Sequence, residues 1–409
     1  MQARAPGRLV RRMKMLVALA TSFPATLSLL TLLLVTAAAL RAQADDRRAA
    51  ARQEIVRRGG TVETVPTAQS VDEFIAVRWI AGDEGLDQLV AAGRVCWLDL
   101  SRSTITDAAL ADVAKLPDLE MLYLAETRIT DAGLARLATL GALRGLFLQS
   151  TGVSTAGLAQ LAGLRHIEWL NLSFTKIDSQ ALVHIEDWQA LTGLWLSDTA
   201  VDDDGLPHLA GLARLRSLKL TRTRVTDAGL PAVGRLAALE MLWLGGTAIS
   251  DRALPAIARL AALEWLLLDD TTITDAGLAE VATLVRLEAL SLANTAVTDA
   301  GLARLSNLHK LRQLILDGTR VTGAGLAGCP RLDFLGLRGT QVSDDGLAVI
   351  AGLPHLQGLD LRETGTTDRG LAELRRLANL QELLLRRTRT TWAGRRELGV
   401  ALPDLEIVP

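Results

Sequence analysis

The sequence has few features of nucleic-acid-binding proteins or enzymes. Its formal net charge is −2 at pH 7, so no strong basic field attracts nucleic acid. Aromatic residues make up only 3% of the 409 residues, and there are two cysteines and five histidines. The chain contains no phosphate-binding glycine loop and no C-x-x-C, H-E-x-x-H or G-x-S-x-G motif. We therefore expect no catalysis, no cofactor, no metal site and no nucleic-acid partner.

What the sequence does contain is an internal repeat. Segments with L-x-x-L-x-L at their head recur every 24 residues, opening at Leu119, Leu143, Ile167, Leu191, Leu215, Leu239, Leu263, Leu287 and Leu311. A fixed period of about 20–29 residues with this head is typical of leucine-rich repeat solenoids. We predict an α/β fold of thirteen such repeats over residues 95–404. It would be a right-handed βα horseshoe with a parallel concave sheet.

Each repeat shows two hydrophobic periods. Positions 1, 4 and 6 are apolar with polar neighbours, which predicts a strand, and positions 16, 19 and 22 are apolar at helical spacing. Position 9 is almost always Thr, and we expect its buried hydroxyl to bond the backbone of the next repeat. Cys96 and Cys329 lie nine repeats apart, too far for a disulfide, and should be small buried residues. The tenth repeat has only 21 residues, which predicts a local flattening or kink.

The N-terminal region predicts a membrane anchor. Residues 15–40 carry no charge over 26 positions, more than the ~20 that cross a bilayer as a helix. The basic residues Arg4, Arg8, Arg11, Arg12 and Lys14 favour a cytoplasmic tail at residues 1–14. Alternatively, the segment is a signal peptide cleaved after Ala44, since Ala42-Gln43-Ala44 resembles a cleavage site. Both interpretations place the repeats outside the cytoplasm, in the first case on a single-pass membrane protein.

Atypical segments flank the repeats and are predicted to cover the ends of the core. Residues 45–94 contain a charged helix from Asp45, a Gly59-Gly60 stop, a strand at 61–65 and a degenerate repeat near 74–89. Residues 405–409 supply one more strand after the last repeat. An uncovered solenoid would expose an apolar end, so these segments are interpreted as caps.

Positions 3, 5, 7 and 8 of each repeat should project from the concave sheet. Nine of the fourteen aromatic residues fall there: Trp97, Tyr123, Phe147, Trp169, Phe174, Trp195, Trp243, Trp265 and Phe334. Met121, Met241 and Lys219 lie at the same positions. The predicted ligand-binding set consists of these three residues and the nine aromatic residues without Phe334. Exposed apolar surface of this kind usually marks a contact site, with Trp and Tyr as favoured anchors. The alternative is that the large side chains only shield the sheet from water.

The units L-x-x-L-x-L-x-x-T-x-[IV]-T-D-A-G-L-A-x-L-A-x-L resemble the leucine-rich repeats of bacterial membrane-anchored proteins. The T-D-A-G-L turn is also similar to the repeat arrays of F-box substrate receptors. However, position 9 here is Thr rather than Cys, and no F-box helices precede the repeats. The resemblance implies a non-catalytic scaffold that binds a protein or peptide on its concave face. Saccharide binding is the first alternative, and a substrate adaptor like the F-box receptors is the second.

Overall fold

The computed structural model describes residues 25–65 and 74–409, with side chains from residue 40 onward. Within these residues, a single sheet of 16 strands runs along the repeats, and neighbouring strands follow the order of the sequence. The first two strands, β1 (Thr61–Val65) and β2 (Phe74–Arg78), are antiparallel. The following pairs are parallel, beginning with β2 and β3 (Arg94–Asp99). A repeat solenoid built on a parallel sheet, as predicted, is therefore confirmed.

Each later repeat contributes one short strand to the sheet, and the segment after the last repeat adds the final strand. These strands are β4 (Met121–Tyr123), β5 (Gly145–Phe147), β6 (Trp169–Asn171), β7 (Gly193–Trp195), β8 (Ser217–Lys219), β9 (Met241–Trp243), β10 (Trp265–Leu267), β11 (Ala289–Ser291), β12 (Gln313–Ile315), β13 (Phe334–Gly336), β14 (Gly358–Asp360), β15 (Glu382–Leu384) and β16 (Glu406–Val408). The register is regular, so residues one repeat apart lie side by side. A side chain on the sheet therefore contacts its counterparts in the adjacent repeats.

The other half of each repeat is a short α-helix, a 3₁₀-helix, or both. The α-helices after β2 are Gln88–Ala92, Leu110–Val113, Asp131–Leu134, Thr155–Ala159, Leu230–Val233, Leu254–Ile257, Leu278–Val281, Asp299–Leu302, Asp344–Ile350, Asp368–Glu373 and Trp392–Ala401. The 3₁₀-helices are Asp107–Ala109, Ala135–Thr139, Ser179–His184, Leu206–Leu209, Asp251–Ala253, Ala303–Asn307, Ala324–Gly328 and Leu374–Arg376. A strand-and-helix unit of about 24 residues leaves room for only one or two turns of helix.

One long helix, α1 (Ala25–Arg57), precedes the sheet. The helix predicted from Asp45 is present, but it begins earlier, at Ala25, because no Gly or Pro interrupts the chain between Ala25 and Arg57. The helix ends before Gly59, which has a left-handed φ of 87°. Ala51 and Ile55 are buried in the core at the start of the solenoid.

The predicted tail, residues 1–14, lies outside the described residues, as do residues 15–24 of the predicted anchor. In the part of the chain that is described, no helix is both long and apolar enough to span a bilayer.

The core is a continuous stack of leucine, isoleucine and valine. In the repeat that opens at Leu215, Leu218, Leu220 and Val225 are also fully buried, and the same positions are buried in the neighbouring repeats. Two tryptophans, Trp79 and Trp188, are fully buried with them. Because aliphatic residues already fill the interior, the large residues at positions 3 and 5 are not needed for the core.

The Thr column at position 9 bonds within its own repeat. Thr223 Oγ1 donates to the carbonyl oxygen of Leu220 at 2.7 Å, and Thr127 Oγ1 donates to Leu124 at 2.6 Å. The prediction that these hydroxyls bond the next repeat is wrong. The turn after each strand brings the carbonyl three residues earlier within reach, a local geometry that Thr commonly adopts.

The hydrogen bonds between the turns of adjacent repeats come instead from the T-D-A-G-L segment. Asp203 Oδ1 accepts from Thr226 N at 2.8 Å, and Asp203 Oδ2 accepts from Thr226 Oγ1 at 2.5 Å. Thr226 Oγ1 in turn accepts from Ala228 N. The same contact joins Asp107–Thr130, Asp131–Ser154, Asp227–Ser250, Asp251–Thr274, Asp275–Thr298, Asp344–Thr367 and Asp368–Thr391. One carboxylate thus fixes the turn of the repeat that follows it.

The two partners are exchanged in the third to fifth repeats. Thr155 Oγ1 donates to Asp178 Oδ1 at 2.7 Å, and Ser179 Oγ donates to Asp202 Oδ1. Here the hydroxyl belongs to the earlier repeat and the carboxylate to the later one. Since donor and acceptor are exchanged together, the contact between repeats is kept.

The short tenth repeat does not interrupt the sheet. Strands β12 and β13 pair in register, with Leu314 opposite Leu335. The three missing residues are absorbed on the other side, where Ala324–Gly328 forms a 3₁₀-helix. The pairing therefore shows no register shift at the position where we expected a flattening or kink.

Both cysteines are free. Cys329 is buried, and burial raises the pKa of its thiol to about 11. Cys96 is only partly buried, so the prediction of burial is correct for Cys329 alone. Cys96 lies within β3, at the register shift between β2 and β3, where its Sγ contacts the carbonyl oxygen of Ile75.

Candidate ligand-binding face

We use the term sheet face for the side of the sheet that carries positions 3 and 5 of each repeat. On β4, Leu122 points into the core and is fully buried, whereas Met121 and Tyr123 on either side of it are partly exposed. This alternation follows from the two-residue period of a strand. Positions 3 and 5 therefore form two parallel lines of side chains across successive strands.

Seven of the predicted residues form a continuous contact chain on the sheet face, which we call the aromatic row. Its members are Trp97, Tyr123, Phe147, Trp169, Trp195, Lys219 and Trp243. Ring centroids are 5.2 Å apart for Trp97 and Tyr123, and 4.3 Å apart for Tyr123 and Phe147, whose planes differ by only 3°. Trp195 lies 5.9 Å from Phe147 and 6.3 Å from Trp169. The row spans β3 to β9.

The rings cover one another as well as the sheet. Phe147 is only 7% exposed, which corrects the prediction that it is displayed to solvent. The stacked ring of Tyr123 lies on one side of it and Trp195 on the other. The other ring-bearing members of the row keep intermediate exposure. Shielding of the sheet and display of an apolar surface are thus both present in the same set of residues.

Small residues at position 3 leave space for the large side chain of the preceding repeat. Trp169 lies over Gly193, and a Cβ at Gly145 would come within 2.5 Å of Met121 Cε. Ser217 is 1% exposed, and its Oγ accepts a hydrogen bond from Trp195 Nε1 at 3.2 Å. Gly145, Gly193 and Ser217 were not among the residues predicted from the sequence. The sequence signal for the two glycines was a Gly at position 3 in the repeat that follows one with Met or Trp at position 3.

Lys219 is the only cation of the aromatic row. Its Nζ lies 4.5 Å from the ring centroid of Trp195 and 3.4 Å from that of Trp243, so the ammonium is held between two indoles. Burial lowers the pKa of Lys219, because desolvation disfavours the charged form. Among the described residues, no carboxylate pairs with it.

The remaining predicted residues lie beside the row or apart from it. Met241 is the register neighbour of Ser217 and Trp265, and it extends the partly exposed surface to β10. Met121 packs over Gly145 at the other end. Phe174 lies on the turn that follows β6 and is 53% exposed.

Phe174 occupies a strained backbone position. Position 8 is left-handed in all thirteen repeats, and at Phe174 φ is 58°. Glycine fills this position in three repeats, at Gly246, Gly318 and Gly339, and elsewhere it is mostly polar or charged. A bulky residue with positive φ is a genuine outlier, and strain of this kind often accompanies a functional site. The recurrence of Gly, Asn and Asp at position 8 was the sequence signal for this conformation.

We expect Phe174→Gly to preserve stability or raise the free energy of unfolding by up to ~1 kcal/mol. Glycine relieves left-handed strain of about 1–2 kcal/mol, and its greater freedom in the unfolded chain offsets part of that gain. Chemical denaturation followed by circular dichroism measures the effect. Ser150→Gly is the matched control, because Ser150 has nearly the same φ of 57° one repeat earlier. A loss above ~3 kcal/mol, typical of removing a packed ring, would show that Phe174 is structural.

The C-terminal third of the sheet face is polar and internally paired. Arg338 and Arg387 contact the same Glu363 oxygen at 3.0 and 3.2 Å, and Arg362 contacts Asp360 at 2.5 Å. Burial raises the pKa of Asp317 nearby. Each of these three arginines therefore contacts a carboxylate, in contrast to Lys219.

Comparison with known proteins agrees with this architecture. A family model described as a leucine-rich repeat region matches residues 170–324, which is less than half of the chain. No curated protein matches. The solved structure of an internalin from Listeria monocytogenes is similar at 23% identity, with a TM-score of 0.59 over 73% of this chain and 82% of that one. A leucine-rich repeat protein from Leptospira interrogans is 18% identical, with a TM-score of 0.48 over 78% and 80% of the two chains.

The repeated strand-and-helix units and the family match over residues 170–324 identify the fold as a solenoid of the leucine-rich repeat type. The likeness to the internalin supports the fold alone.

Proposed function

We propose that this protein is a non-catalytic scaffold that binds an extended segment of another protein on the aromatic row. The carrying observation is the unbroken line of contacts from Trp97 to Trp243 on a face that the core does not use. Trp and Tyr are enriched among residues that dominate binding energy, and apolar surface outside the core favours contact with a partner.

The size of the row suits a short extended peptide. It spans six steps between adjacent strands, from β3 to β9, and each step is about 4.8 Å. The row is therefore ~29 Å long, which an extended chain crosses in about nine residues. The rings of the row are only partly exposed, and Phe147 is buried, so the partner would contact ring edges and the gaps between rings.

Saccharide binding is the alternative that this geometry supports less well. Sugars stack on open ring faces, but the facing surfaces of Tyr123 and Phe147 cover each other. Lys219 covers a face of Trp195 and of Trp243. Fewer open ring faces remain than the sequence pattern suggested.

The proposal can be tested by selection from a displayed library of random peptides about 12 residues long, slightly longer than the row. The purified full chain is immobilised as the target, and a variant with Trp195→Ala and Trp243→Ala is the matched target. We expect enriched sequences rich in aromatic and aliphatic residues on the wild-type protein only. A glycan array on both proteins provides the second arm. Glycan binding that is lost in the variant, without peptide enrichment, would overturn peptide binding in favour of saccharide binding.

We further propose that residues 15–40 anchor the protein in a membrane with the repeats on the extracytoplasmic side. The uncharged stretch of 26 residues and the basic residues before it support this proposal. Protease added to intact cells should then digest the repeats, and the protein should stay in the membrane fraction after alkaline extraction. Repeats that are protected until the cells are lysed would contradict it.

A further inference from the structure

Lys219 lies on β8, near one end of the aromatic row. On the neighbouring strands, Trp195 and Trp243 cover it from both sides. The ammonium therefore has less water around it than a surface lysine, and this desolvation is the cause of its lowered pKa. A desolvated charge is costly unless an opposite charge or hydrogen bonds compensate for it.

Two arginines of the sheet face and its turns are compensated within the protein. Arg222 contacts Asp198 at 2.6 Å, and Arg362 contacts Asp360 at 2.5 Å. Lys219 has contacts with two aromatic rings but no carboxylate among the described residues. The indoles stabilise the cation from two sides and leave its ammonium without an acceptor.

The neighbouring indole is also incompletely satisfied. Nε1 of Trp243 is buried and has no hydrogen-bond acceptor in the described part of the chain. A buried donor without a partner costs about 1–3 kcal/mol. Lys219 Nζ and Trp243 Nε1 are thus two hydrogen-bond donors without an acceptor in the part that the structure describes, and their side chains are in direct contact.

We infer that the partner carries a carboxylate that pairs with Lys219, so that the aromatic row recognises an acidic apolar peptide. This inference rests on the proposed function. The carboxylate supplies the charge that Lys219 lacks, and apolar side chains of the peptide contact the rings between Trp97 and Trp195. A charge pair formed away from water contributes orientation and register in addition to affinity.

The position of Lys219 also fixes where the acid lies in the peptide. From Trp97 on β3 to Lys219 on β8 there are five steps between strands, or about 24 Å. An extended chain covers this distance in ~7 residues. The acidic residue should therefore lie about seven residues from the farthest apolar anchor, towards one end of the bound segment.

The test uses the peptide library of about 12 residues on three forms of the full chain: wild type, Lys219→Met and Lys176→Met. Methionine keeps the apolar stem between the indoles, and Lys176 is an exposed lysine with the same charge change. We expect a fixed Asp or Glu among the enriched peptides on wild type and on Lys176→Met. On Lys219→Met the apolar preference should remain while the acidic preference disappears.

A second measurement leaves the protein unchanged. A synthetic enriched peptide is compared with its Glu→Gln or Asp→Asn form, and the change should weaken binding to wild type by about 10-fold. It should have no effect on Lys219→Met. Enriched peptides without an acidic position, or an equal acidic preference on Lys219→Met, would overturn the carboxylate while leaving the peptide-binding proposal intact. Absence of enrichment on all three forms would overturn both.

Discussion

Replacing Trp195 and Trp243 together with alanine is expected to weaken binding of an enriched peptide by at least about 100-fold. Both indoles belong to the aromatic row, and both contact Lys219. Their removal takes away two large contact surfaces and exposes Lys219 to water, so that the peptide loses the apolar surface at this end of the row and a fixed ammonium. Isothermal titration calorimetry or fluorescence anisotropy measures the dissociation constant.

The same double change should leave the solenoid folded. Neither ring belongs to the buried core, and the adjacent Leu194 and Leu242 supply the apolar contacts of their strands. Trp392→Ala is the matched control, because Trp392 is 70% exposed on the last helix and lies outside the row. Binding that is unaffected in the double variant, with circular dichroism unchanged, would refute the proposed site.

Gly229→Ala is expected to lower the free energy of unfolding by about 2 kcal/mol, a typical cost of overpacking. A Cβ at this position would lie 2.5 Å from Asp203 Oδ1 and 2.6 Å from Leu206 Cδ1. To make room, Asp203 must move, which weakens its two hydrogen bonds to Thr226. The glycine of T-D-A-G-L is therefore required by the carboxylate of the preceding repeat. Urea denaturation measures the loss.

Gly211→Ala is the control for this substitution, since a Cβ at Gly211 meets no atom within 4 Å. It should leave stability nearly unchanged. In a background that already carries Asp203→Ala, the cost of Gly229→Ala should shrink, because one of the two clashing groups is gone. Equal costs in the two backgrounds would contradict the role assigned to Asp203.

The fold was largely predictable because its signals are local and repeated. The 24-residue period fixes the strand spacing, and alternation at positions 1, 4 and 6 identifies the inward side chains. Partners in hydrogen bonds were harder to predict. A buried Thr hydroxyl such as that of Thr223 needs an acceptor, but the amino-acid sequence does not indicate whether this acceptor lies in the same repeat or in the next one.

The candidate site was predictable in membership and less so in geometry. Placing Trp195, Lys219 and Trp243 on one face requires only the repeat register. Burial of Phe147 depends on how far each ring reaches sideways, which is set by side-chain rotamers and by small neighbours such as Gly193. The strain at Phe174 arises from a turn conformation that all repeats share, and in the sequence only the recurrence of Gly, Asn and Asp at position 8 indicates it.

The carboxylate contacts between turns give the array a polarity that constrains how its units can be rearranged. Asp83 accepts hydrogen bonds from N and Oγ1 of Thr106, as Asp203 does from Thr226. Even the first full repeat therefore depends on a residue that precedes it. A repeat moved to another place in the array must follow a repeat that carries the matching carboxylate or hydroxyl. The stretch from Thr155 to Asp202, in which hydroxyl and acid have traded places, is consequently interchangeable only as a block. Shuffled or shortened versions of this protein should tolerate joints outside that block far better than joints within it.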